Sequence, residues 1–415
     1  MDSVFKKYAS LPGSIYIIAF ANLINSMGTF VRPFLTLFLT DRMGLSPDYA
    51  GLLVSISSMV RIPGSILGGR LCDSIGRKKV MIIFGALSAL SLVVCAFSAN
   101  TSLLINLLIF SSFALSVSAP AETSVIVDLT NTGNRKEAFS LSYLFHNLGF
   151  AVGPILASFL YKNYLKLLFI GDALATFIAL GLIALGVPET KPERGKIDDA
   201  ALSEYERFEE GSTLAVLLKR PVLLVYALIS VLYTLVYSQS TFSLPIYLKE
   251  LFGDAGPKLY GSVMSANAVT VVVCTTLVTN LTSNLRSLIN IAGAGMLYAL
   301  GFGMIMFAKN PWILLLSTFI WTLGEILCAV NERAFIAEYT PASHRGRINA
   351  VIPLIMGAGF SISPWLTGMF LKYHGVRWVW PLSFFIAAFG ATGMFALNLV
   401  DKRRVSPAQK TSANL

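Results

Sequence analysis

Twelve long apolar runs, parted by short polar gaps, restrict the fold of this chain more than any other feature of its sequence. They lie at roughly 14–39, 48–69, 79–98, 102–127, 137–160, 166–187, 221–248, 259–280, 287–307, 312–337, 347–371 and 378–400. A helix needs about 20 mostly apolar residues to cross the hydrocarbon core of a bilayer. Lipid offers no hydrogen-bond partner to an open backbone, so only helices or closed barrels cross it. These runs are too long and too evenly apolar for barrel strands. The expected fold class is an all-α membrane protein with twelve transmembrane helices. Composition agrees, since the 415 residues are 55% hydrophobic and 13% charged, against roughly 25% charged in soluble domains.

The first run follows Lys6 and Lys7, is too long for a signal-peptide core and ends in no A-x-A site, so it is expected to be a retained span. The longest polar gap, opening "PETKPERGKIDD", divides the chain into a six-helix half (1–187), a cytoplasmic linker (188–220), a second half (221–400) and a cytoplasmic tail (401–415). With both termini on one side, that side collects Lys6, Lys7, Arg70, Arg77, Lys78, Lys79, Arg135, Lys136, Arg286, Arg345, Arg347 and the basic residues of linker and tail. The other side holds only Arg42, Lys162, Lys166, Lys249, Lys258, Lys309, Lys372 and Arg377. Positive charge marks cytoplasmic loops, so both termini are placed in the cytoplasm and the cell membrane is the expected location. The net charge of +10 is thereby topological and calls for no nucleic acid.

The two halves are copies. Shifted by 210, "AETSVIVDLTNTGNRKEAFSLSYLFHNLGFAVGP" overlies "NERAFIAEYTPASHRGRINAVIPLIMGAGFSISP" without a gap. Glu122 meets Glu332, Asp128 meets Glu338, Arg135 meets Arg345, Gly149 meets Gly359 and Pro154 meets Pro364. In the first span a shift of 212 brings Thr29, Phe30 and Pro33 onto Thr241, Phe242 and Pro245. Parallel repeats about an axis along the membrane normal are a known transporter design.

The stretch "GGRLCDSIGRKKV" (68–80) resembles the signature loop between the second and third helices of the major facilitator superfamily (MFS). Gly69, Leu71, Asp73, Gly76, Arg77 and Lys78 carry the match, with Ser74 replacing a usual basic residue. "GFAVGP", containing Gly149, Gly153 and Pro154, resembles the fifth-helix motif of the family's drug and proton antiporters, with Ala157 and Ser158 where paired glycines are usual. "DLTNTGNRKEA" and "EYTPASHRGR" resemble the loops after the fourth and tenth helices. An arginine typical of the fourth helix in many drug antiporters is absent from "SSFALSVSAPAE". The resemblance spans the chain. It implies the MFS fold, two pseudo-symmetric six-helix halves rocking about a midplane site, and it points to the drug:H+ antiporter-like branch.

Within the signature loop, small residues at 64, 68 and 69 let a neighbouring helix approach, and Asp73 suits a helix N-terminus. The resemblance makes that the eleventh helix. Arg77 is placed to pair with Asp128, giving a gating latch of Gly69, Asp73, Gly76, Arg77 and Asp128. The plainer alternative is that the basic residues only anchor topology. The second copy has Ser283 and Arg286 where the first has Asp73 and Gly76.

Ionisable groups are costly in lipid and face a cavity or a partner. Arg32, Arg61, Glu122, Glu325, Glu332 and Arg333 fall inside spans, with Asp172 near a span end. Asn22, Asn25, Thr29, Arg32 and Thr36 recur at three and four residues along one face, as do Tyr226, Ser230, Tyr233, Tyr237 and Thr241. These stripes line a substrate cavity or join helices. Trp321, Glu325, Cys328 and Glu332 share a tenth-helix face. The substrate cavity is expected from Asn22, Asn25, Arg32, Arg61, Tyr233, Tyr237 and Trp321. Proton coupling is expected first at Glu325, then at Glu122, Glu332 and His146. Paired structural carboxylates and a packing histidine are the alternatives.

The four cysteines are too scattered for a metal site or disulfide framework, and no metal or cofactor is expected. No nucleophile constellation suggests an enzyme, and no G-x-x-x-x-G-K-[ST] loop suggests ATP. The leading expectation is proton-coupled efflux of amphipathic small molecules by a monomer, its partners being substrate, protons and the lipid bilayer. The alternatives are an importer of sugars, organic anions or other nutrients, a lipid exporter and, remotely, a non-transporting receptor.

Overall fold

A computed structural model describes residues 11–131, 134–190, 220–339 and 345–412, without the side chains of 333–334, 337–338, 345–350 and 402–412. Most of the expected linker, and Arg333, Glu338, Arg345 and Arg347, therefore lie outside the described side chains. The described chain is helical, with no strand. Eleven apolar helical stretches are long enough to cross a membrane: Gly13–Arg42, Pro47–Ile75, Arg77–Phe97, Thr101–Asp128, Arg135–Asn163, Leu165–Gly186, Pro221–Thr282, Ser287–Phe307, Pro311–Glu332, Val351–Tyr373 and Val376–Asp401. Pro221–Thr282 has 62 residues and contains Gly253, whose φ of 54° turns the chain. It therefore supplies the seventh and eighth spans, and the twelve-helix count stands.

Packing follows the repeat. The third span packs on the fourth and sixth, as the ninth does on the tenth and twelfth. The first packs on the sixth, as the seventh does on the twelfth. Even the caps repeat at the shift of 210. Asn100 Oδ1 accepts from Leu103 N at 3.0 Å to start the fourth span, and Asn310 Oδ1 accepts from Ile313 N at 3.1 Å to start the tenth. Each side chain satisfies one of the amides a helix start leaves open.

Contacts divide the chain into two units, and the division does not fall at the linker alone. The first unit is Met1–Lys196 joined by Thr241–Val272 and Trp365–Lys372. The second is Ile197–Ser240, Val273–Pro364 and Tyr373–Leu415. The seam of the first unit includes Ile15, Ile18, Ala19, Val117, Ala121, Val125 and Ala138, all buried. The second buries Tyr226, Phe302, Trp321, Phe335 and Trp380. Membrane helices associate through close packing rather than loss of hydrated surface, which explains the small residues along the first unit's seam.

Candidate functional site

In the first unit the first span is broken. Its helix stops at Met27 and resumes at Val31. Asp172 of the sixth span caps the restart, its Oδ2 accepting from Phe30 N and Val31 N at 3.0 Å each. The break needs a small residue, because a Cβ on Gly28 would overlap that of Ala175. The fifth-span motif packs beside it. A Cβ on Gly149 would meet Leu23 O, and one on Gly153 would lie 2.8 Å from Ser26 O.

The polar face of the first span is mostly tied down. Asn22 Nδ2 donates to Glu122 Oε1 at 2.7 Å, and Thr176 Oγ1 donates to Asn25 Oδ1 at 3.0 Å. Thr36 Oγ1 donates to Thr241 O at 3.0 Å, and Ser26 Oγ meets His146 Nδ1 at 2.6 Å. These side chains join helices. Arg32 is the exception. It is open to water-sized contact although enclosed among protein atoms, and so is Arg61, the central residue of the second span. Arg32 lies close enough to Arg61 and His146 for the charges to act on one another. Among the described residues neither arginine has an ion pair or hydrogen bond. The structure thus brings Arg32, Arg61 and His146 together and places Glu122 with Asn22.

The signature loop is built around Arg77, which is buried. Its Nε donates to Asp128 Oδ2 at 3.1 Å and its Nη1 to Cys72 O at 3.1 Å. Thr190 Oγ1 donates to the same Asp128 oxygen at 2.8 Å. Gly76 sits at φ 107°, a conformation side chains resist. Gly68 lies against the Val117 backbone, whereas a Cβ on Gly69 would meet open space, so Gly69 is not needed for close approach here. Asp73 is 3.7 Å from Arg77, and its side chain is 80% exposed. The eleventh helix, expected from 347, begins at Arg345, and the side chains of its first turn lie outside the described ones. Glu189, beyond the sixth span, was missed. Its Oε1 accepts from Arg77 N at 2.7 Å and so caps the third span. Arg286 in the second unit is likewise held from its last span, by Asn398 at 3.1 Å and Asp401 at 2.5 Å.

The second unit concentrates aromatics and acids. Trp321 lies 5.9 Å from Tyr237 and 5.5 Å from Phe302, and Tyr233 and Tyr237 lie 6.0 and 6.1 Å from Tyr298. Glu325 and Glu332 both act electrostatically on Cys328 and Tyr298. The Tyr233 hydroxyl and Trp321 Nε1 are buried without a hydrogen-bond partner among the described residues.

One end of the first unit is sealed by charge. Asp41 takes a hydrogen bond from the Tyr161 hydroxyl at 2.8 Å and an ion pair from Lys249 at 3.3 Å. Arg42 donates to Tyr161 O at 2.7 Å, and Lys162 pairs with Asp254 at 3.7 Å. They line an open cavity of about 230 Å³. Phe34 meets Tyr260 edge-on at 5.3 Å just below. Only the basic members were noted in the sequence, because the pairs cross between spans.

Twelve spans in two repeated sets, with this loop and these intramembrane charges, define a multi-pass membrane transporter. The chain belongs to the Major Facilitator Superfamily, whose family model matches residues 18–352 and 291–414. It is 22% identical over 406 residues to a Na(+), Li(+), K(+)/H(+) antiporter of Planococcus maritimus, covering 92% of this chain and 95% of that one. It is 24% identical to the MFS-type transporter YqjV of Bacillus subtilis (strain 168), covering 89% of each. The fold is shared with the crystal structure of the peptide transporter POT in complex with sulfate, at TM-score 0.75 and 15% identity over 96% of this chain and 98% of that one.

Proposed function

We propose that the protein is a secondary active transporter that exchanges amphipathic small molecules for protons by alternating access, in the efflux direction, with both termini cytoplasmic. The observation that carries this reading is Glu122. Its carboxyl lies within the fourth span with one hydrogen bond, from Asn22, and no cation beside it among the described residues. Ionisation inside a membrane is costly, so a proton is the natural balance for such a carboxyl. Hydration as the transporter opens would let that proton leave. Glu325, with Glu332 and Cys328 near it, is the second candidate carrier. The similarity to a cation/proton antiporter over 92% of the chain supports proton exchange. The fifth-span glycine motif supports efflux.

The test is transport of a fluorescent amphipathic dye in proteoliposomes under an imposed pH gradient. Wild type should accumulate dye against its gradient. Glu122→Gln keeps shape and hydrogen bonding but cannot titrate. It should lose pH-driven transport and keep dye exchange down its own gradient. If Glu325→Gln alone shows that pattern, the proton site moves to the tenth span. If no pH gradient drives the wild type, a uniporter replaces the antiporter.

A further inference from the structure

Among the described residues, the intramembrane arginines of the first unit have no ion pair. Arg32 and Arg61 stand in the apolar lengths of the first and second spans, near each other and near His146. The acids of the unit's interior are committed elsewhere. Glu122 faces Asn22, Asp172 caps Phe30 and Val31, and Asp41 faces Tyr161 and Lys249. A charge in the membrane interior is kept only where it faces a partner or a water-filled space. Both arginines are exposed residues, and their like charges act against one another.

The internal repeat shows that the fold does not require these charges. At the shifts that align the copies, Arg32 corresponds to Leu244, Arg61 to Val271 and His146 to Met356. All three counterparts are buried and apolar. The same architecture is thus built without a cation at any of the three positions, and the first copy carries two that no described residue neutralises.

We propose that Arg32 and Arg61 form an anion-binding subsite, and that the transported molecules are small organic anions whose carboxylate or phosphate group rests on this pair. The proposal rests on the transporter reading above and narrows its substrate class. Guanidinium groups present planar forks of donors that fit carboxylate and phosphate oxygens in pairs. His146, held through Nδ1 by Ser26, borders the subsite and adds a donor at its edge. Neutral or cationic molecules of the same shape would leave both guanidinium groups uncompensated.

Binding of four matched naphthalene compounds to the purified full-length protein tests this. They are naphthoate, naphthyl phosphate, naphthamide and naphthylmethylammonium. Naphthoate or naphthyl phosphate should bind at least about tenfold more tightly than the amide or the ammonium compound. Whichever anion binds better identifies the headgroup. Arg32→Gln and Arg61→Gln should each weaken anion binding by about tenfold and leave the amide unchanged. The Arg→Lys variants keep the charge without the fork and should fall between. Equal binding of amide and anion to wild type would overturn the subsite. So would unaltered anion affinity in a Gln variant that elutes as wild type does. If a Gln variant does not fold, the wild-type preference and the Lys variants still decide. Arg-dependent anion binding without movement of any probe in proteoliposomes would sink the transporter reading alone. pH-driven movement of the ammonium probe without anion binding would sink the subsite alone.

Discussion

The two copies of the repeat keep the same packing and carry opposite chemistry. Gly149 and Gly359 align, and both pack against backbone of the first span of their half, at Leu23 and Val231. Asn100 and Asn310 cap the same turn. Around these shared positions the polar interiors diverge. The first copy holds Arg32, Arg61 and His146 where the second holds Leu244, Val271 and Met356. The second holds Tyr298 and Trp321 where the first holds Ser88 and Ser111, hydrogen-bonded at 2.8 Å. Positions that fix helix spacing have stayed alike, and interior positions that carry charge, hydroxyl groups or aromatic rings have parted.

The largest effects should therefore be symmetric. Gly149→Leu and Gly359→Leu each drive a side chain into backbone of the neighbouring span. Both should abolish recovery of monodisperse protein in size-exclusion chromatography. Gly69→Ala, whose Cβ meets open space, should elute as wild type does. A well-behaved Gly359→Leu beside a lost Gly149→Leu would show that the copies do not share their packing.

Next in size is the signature loop. Arg77 is buried between Asp128 and the Cys72 carbonyl, while Asp73 is mostly in solvent. Removing one partner of a buried pair costs about 3–5 kcal/mol, so Arg77→Ala should lower the thermal midpoint clearly. Asp73→Asn should leave the midpoint within the scatter of wild type, and it should slow transport if, as the resemblance implies, Asp73 acts in closing. Normal transport by Asp73→Asn would reduce the loop to a topological anchor.

How far the sequence discloses such positions depends on the range of the interaction. The twelve spans, the repeat and the Arg77–Asp128 pair are legible from one chain, since they rest on local hydropathy, self-similarity and a known loop. The tying of Asn22 to Glu122 and of Asn25 to Thr176 is not. Periodicity shows that a polar face exists but not whether lipid, water or another helix meets it. Asp172 looks interfacial by position, yet it caps the restart of the first span after its break at Gly28. Glu189 reads as the start of a charged linker and is the cap of the third span.

A moderate effect is expected at the charged end of the first unit. Asp41 collects Tyr161 and Lys249 at the cavity. Asp41→Asn keeps an acceptor for the tyrosine and loses the ion pair. A partly exposed pair of this kind is worth about 1 kcal/mol or less and weakens with salt. Transport by wild type should therefore change with ionic strength, and the Asp41→Asn protein should respond less. An identical salt profile in both would remove this network from the transport cycle.

The smallest effect sharpens the comparison where the copies differ most. Ser88 and Ser111 share one buried hydrogen bond at the positions of Tyr298 and Trp321. Ser88→Ala leaves the Ser111 hydroxyl without this partner, which should cost about 1 kcal/mol of stability. Replacing both by Ala removes donor and acceptor together, so the double variant should be no less stable than the single one. Neither should alter transport, because the pair lies between the third and fourth spans and touches no charged group. At the matching positions Trp321→Ala removes contacts with Tyr237 and Phe302. It should impair transport more than its loss of stability explains. Thermal midpoints and dye exchange measured on the same four proteins separate the two outcomes. If Ser88→Ala impaired transport as Trp321→Ala does, the serine pair would belong to the working interior, and the division between a conserved scaffold and a diverged one would fail.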